Sequence, residues 1–129
     1  MDSGMKAKFR EKMVKHFADM SECEDVLILQ KEHDGAVIKY TITLQDDGYK
    51  LTAGVYELQH RPILMPSIHE NQGFKTRKTN DSVEICSLHH YEAGNEIFYR
   101  MKRYYKFLKM VYERGNDMTT FEELFGKID

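Results

Sequence analysis

Apolar side chains recur at three- and four-residue steps near the start of the chain. Met5, Phe9, Met13, His16, Phe17 and Met20 fall in one stripe at about 100° per residue, while Lys6, Lys8, Arg10, Lys12 and Lys15 cover most of the remaining surface. The spacing predicts an amphipathic helix, and Ser21-Glu22-Cys23-Glu24 breaks its period. His16 sits in the middle of the stripe and is expected to be partly buried, as a hydrogen-bonded core histidine.

A period of two follows. Val26-Leu27-Ile28-Leu29 leads to a turn at His33-Asp34-Gly35. Ala36, Ile38, Tyr40, Ile42 and Leu44 then alternate with Val37, Lys39, Thr41 and Thr43, the pattern of a half-buried strand. Asp46-Asp47-Gly48 reads as a second Asp-Gly turn, after which Tyr49, Leu51, Ala53 and Val55 alternate with Lys50, Thr52, Gly54 and Tyr56. Short turns between such strands predict an antiparallel meander.

The stretch from His60 to Gly73 carries no clear period, and Pro62 and Pro66 flank its apolar Ile63-Leu64-Met65. Phe74 to Thr79 reads as a polar edge strand, and Asn80-Asp81 turns it into a further strand starting at Ser82. From Ile97 to Arg114 the period returns to that of a helix. Ile97, Met101, Tyr104, Tyr105, Leu108, Val111 and Tyr112 share one face, and Gly115-Asn116 is a stop signal. Thr119 or Thr120 is expected to cap a short last helix through Phe121, Leu124 and Phe125. The prediction is an α+β fold: an antiparallel sheet of four to five strands, flanked by an N-terminal helix, a long C-terminal helix and a short terminal one.

Length agrees with one domain spanning residues 1–129, with residues 1–4 expected to be a tag or a disordered start. Two cysteines, Cys23 and Cys86, make neither a disulfide framework nor a complete zinc site, and no metal or cofactor is expected. No apolar run approaches the length of a membrane span or a signal peptide, so a cytoplasmic protein without membrane contact is expected.

A net charge of -2 excludes a uniformly cationic protein but conceals a segregation. Lys6 to Lys15, Arg61 to Lys78 and Arg100 to Arg114 are basic, whereas Asp19 to Asp34 and Asp117 to Asp129 are acidic. The long helix carries Arg100, Lys102, Arg103, Lys106, Lys109 and Arg114 beside one acid, Glu113. Tyr99, Phe107 and Met110 project among these cations, opposite the apolar stripe, and a solvated face seldom carries such residues. The leading expectation is a non-catalytic protein-binding module, homodimeric or with another protein as partner. Its contact surface is Tyr99, Phe107, Met110, Arg103 and Lys106 together with Ile63, Leu64 and Met65 of the apolar loop. The alternative is a binder of nucleic acid or a phosphorylated small molecule through Lys75, Arg77, Lys78, Arg100, Arg103 and Lys106.

A third expectation is a small phosphodiester or acyl-transfer enzyme using His89 or His90 as acid or base. No nucleophile elbow, phosphate loop or metalloprotease motif accompanies them. In a strand, Cys86 and His89 point to opposite faces, and Cys86, Leu88 and His90 share one.

The order of elements resembles that of type III secretion chaperones, in which a helix, a strand meander, a helix and two further strands precede a C-terminal helix. The likeness covers most of the chain and is one of topology, so it carries no residue's role. It implies a helix between Arg61 and Gln72, where the two prolines oppose one, and the basic helices depart from the acidic surface of such chaperones.

Overall fold

A computed structural model describes residues 3–59, 63, 73–111 and 119–127. They form α1 (Ser3–His16), β1 (Ser21–Cys23), β2 (Val26–His33), β3 (Ala36–Leu44), β4 (Gly48–Glu57), β5 (Lys75–Lys78), β6 (Ser82–His90), α2 (Glu96–Val111) and α3 (Phe121–Phe125). The strands make one antiparallel sheet in the order β1-β2-β3-β4-β6-β5. The class is α+β, as the alternation predicts, but the sheet has six strands rather than four to five. The unexpected strand is β1, whose three residues are all exposed and therefore show no alternation. It is defined by pairing alone, Ser21 with Ile28 and Cys23 with Val26, across a turn in which Glu24 takes φ 53°.

The period-two pattern maps directly onto the sheet. Ala36, Ile38, Tyr40, Ile42 and Leu44 are buried, as are Tyr49, Leu51, Ala53 and Val55 opposite them and Val83 and Ile85 on β6. The helices cover this face: Phe9, Met13 and Phe17 from the α1 region, and Ile97, Met101, Tyr105, Leu108 and Val111 from α2, join the same core. Lys39, Thr41, Lys50, Thr52, Cys86 and Leu88 lie on the opposite face.

Several local expectations are refined. The helix α1 includes Ser3 and Gly4. Asp34 and Gly35, both at positive φ, close the β2–β3 hairpin as the Asp-Gly pair predicts. Gly48 does not have a positive φ; a Cβ there would meet the His89 carbonyl oxygen at 2.1 Å, so it is needed for close approach of β4 to β6. Thr120 is the cap of α3, and its side chain and that of Glu123 exchange hydrogen bonds with each other's main chain.

Ile63 is buried and its N–H donates to the Asn80 carbonyl at 3.2 Å. The rest of the apolar loop, including Leu64 and Met65, lies outside the described residues. So do Tyr112, the Gly115-Asn116 stop and the helix implied between Arg61 and Gln72. No helix among the described residues is long and apolar enough to cross a membrane.

Candidate functional site

The cations of the long helix are divided between its two sides. On the inner side, a polar cluster ties α2 to β4 and β6. Tyr49 donates to both carboxylate oxygens of Glu92 at 3.1 Å, Arg100 donates to the Tyr49 hydroxyl at 3.0 Å, and Arg100 also pairs with Glu92. Next to it, the Ser87 hydroxyl meets His89 Nε2 at 2.7 Å and the hydroxyl of Tyr104. Burial, aided by the charge of Arg100, pushes His89 down to about 4, so its imidazole is neutral at pH 7. Arg100 is therefore engaged in holding the fold.

The adjacent histidines are separated by the sheet. His89 faces the helices beside Ser87, whereas His90 is exposed on the other side with Leu88. They do not form a joint acid–base pair. Ser87 is itself buried, and its hydroxyl links His89 to Tyr104 beneath α2.

On the outer side of α2, Tyr99, Arg103, Lys106 and Met110 follow at spacings of four, three and four, within an arc of about 60°. Tyr99 is 58% exposed and Met110 56% exposed, and Arg103 and Lys106 between them are exposed as well. Lys102 pairs with Glu122, whose carboxyl it holds below the usual range. Arg103, Lys106 and Lys109 take no salt bridge among the described residues.

Phe107 departs from its expected place. It is only 9% exposed because Phe74 packs against it edge-on, with ring centres 5.1 Å apart. About 80° of helical arc separates it from Tyr99, at the margin of the outer side. The covering ring comes from just before β5.

The six cations of the phosphate reading are not gathered. Lys75 and Arg77 pair with Cys86 and Glu84 and lie on the open face of the sheet, around a groove of about 200 Å³ shared with Lys50 and Thr52. Lys78 donates to the Thr79 carbonyl at 3.0 Å. Arg100, Arg103 and Lys106 belong to the helical layer across the sheet.

A larger concavity, about 680 Å³, lies between α1 and the start of α2. Lys8, Lys12 and Lys15 line it with Lys127, over the stacked rings of His16 and Phe98. The sequence reading treats these lysines as solvated helix surface. Their spacing of four and three puts them on one side of α1, but the His16–Phe98 stack that makes the surface concave is a tertiary contact.

Cys23 is exposed and Cys86 half-buried, both as free thiols. Among the described residues no group of three or more His, Cys, Asp or Glu could hold a metal ion. Compared with protein families, curated proteins and solved structures, the chain has no match.

Proposed function

We propose that this protein is a non-catalytic binding module that receives an acidic, amphipathic segment of another protein along the outer side of α2. The observation that carries the reading is the exposure of Tyr99 and Met110 at either end of a stripe whose middle is Arg103 and Lys106. Large apolar side chains gain about 1.5–3 kcal/mol each when fully buried, and Tyr, Met and Arg are enriched at interface cores. The two cations between them, which take no salt bridge among the described residues, would select a partner with carboxylates at matching positions.

Charge also bears on whether the partner is a second copy. A two-fold contact through this stripe would set Arg103 and Lys106 of one chain against the same cations of the other. Such like-charge opposition disfavours self-association through α2 and favours an acidic partner.

The test is the native mass of the protein isolated from its own cells, before and after raising the salt concentration. The expected particle exceeds the 15.3 kDa chain, contains a second, acidic protein, and dissociates in high salt. The Tyr99→Ala/Met110→Ala variant should run as the free chain. A wild-type particle with the mass of one chain, or of several copies of it, would refute the proposal.

A further inference from the structure

We infer that the groove between α1 and the start of α2 binds a compact, multiply charged phosphate compound. The charges of α1 are sorted to its two sides. Lys6 pairs with Asp25 at 3.2 Å, and Arg10 pairs with Glu22 at 3.8 Å and Asp25 at 3.1 Å. Lys8, Lys12 and Lys15 face the groove instead. Neither they nor Lys127 take a salt bridge among the described residues. Glu11 is the one described acid lining the groove, and Glu96 acts on Lys12 from the start of α2. Among the described residues, four ammonium groups thus line one concave surface with less than their own charge in carboxylates.

The groove has a defined floor. His16 and Phe98 lie face to face with ring centres 4.0 Å apart, and the Lys12 ammonium stands 5.2 Å from the centre of the Phe98 ring. That cation–π contact holds Lys12 at the wall. Partial burial lowers the Lys12 pKa while Glu96 raises it, so its charge is held with reduced hydration. An anion entering the groove would offset the charge of these lysines and compensate Lys12 for its reduced hydration.

Shape and donor type identify the ligand class. The volume, about 680 Å³, lies within the range of small-molecule sites. The described cations of its lining are all lysines, which present rotatable point charges able to follow the oxygens along a phosphate chain. An oligophosphate carries enough negative charge to offset the lysines in excess of Glu11. It is either free or attached to a nucleoside, whose base would lie against the floor made by His16 and Phe98.

Calorimetric titration with inorganic tripolyphosphate and, separately, with ATP tests the site. Both should bind, more weakly in high salt. Replacing Lys8 and Lys15 together by Gln should weaken binding about tenfold or more, since each lysine supplies a charged contact. These side chains are exposed, so circular dichroism should show the fold retained. An equal charge change elsewhere, Lys39→Gln with Lys78→Gln, should leave binding unchanged. Equal affinity for the two ligands assigns recognition to the phosphate chain; tighter ATP binding that His16→Ala abolishes assigns the base to the His16 surface. The inference is overturned if neither ligand binds, if both double variants weaken binding alike, or if only a single-stranded oligonucleotide binds.

Discussion

Tyr40 on β3 donates its buried hydroxyl to the main-chain carbonyl of Met101 on α2, at 2.6 Å. The bond joins the centre of the sheet to the middle of the helix that carries the proposed contact surface. Tyr40 also packs edge-on against Phe121 and Phe125 of α3, with ring centres 6.2 and 5.4 Å away. Tyr40→Phe keeps this packing and removes only the hydroxyl. The expected loss is about 1 kcal/mol, read as a lower urea midpoint with an unchanged slope. An unchanged midpoint would show that the bond contributes nothing net.

The outer side of α2 should separate folding from binding. Phe107→Ala removes a ring packed against Phe74, which also packs against Tyr104, at an expected cost of about 3 kcal/mol. Tyr99→Ala and Met110→Ala touch exposed side chains and should stay within about 0.5 kcal/mol of the parent. Denaturant unfolding of the three variants makes the comparison. Comparable destabilisation by all three would place Tyr99 and Met110 in the packing and remove them from the contact surface.

His89 predicts a direction for the acid response. Its folded pKa, about 4, lies below the ordinary value of 6.5, so the unfolded chain takes up this proton first as the pH falls. The contribution of His89 to stability is complete above pH 6.5, shrinks between there and about pH 4, and changes no further below that. His89→Gln should flatten stability against pH across this window, as followed by denaturant unfolding. An NMR titration of the imidazole with an ordinary midpoint would contradict the assignment.

Thr120 anchors the end of the chain that closes over Tyr40 and Tyr105. Its cap satisfies the Glu123 N–H, and Tyr105 donates to the neighbouring Thr119 carbonyl. Thr120→Ala should cost about 1 kcal/mol, whereas Thr120→Ser should retain nearly all of the stability. Hydrogen exchange at the Glu123 amide should accelerate in the alanine variant only.

Much of the architecture is legible as periodicity. The alternation from Ala36 to Leu44 identifies the inward residues of β3, and a threonine cap, at Thr119 or Thr120, is recognisable before Phe121. The short strand β1 is not legible, because all three residues face solvent and pairing with Val26 to Ile28 alone defines it. Gly48 is recognisable as special, but its reason, the His89 carbonyl beside it, belongs to a strand paired across the sheet.

The candidate surface divides along the same line. Residue spacing by itself determines that Tyr99, Arg103, Lys106 and Met110 share one side of a helix, and that His89 and His90 face opposite ways. Tertiary structure decides which of those sides stays open. Phe74 covers Phe107 and leaves Tyr99 and Met110 exposed; Glu92 and Tyr49 take Arg100; the His16–Phe98 stack turns a row of lysines into a groove. Local spacing sets the direction of a side chain, whereas its covering comes from residues far along the chain, which no local pattern records.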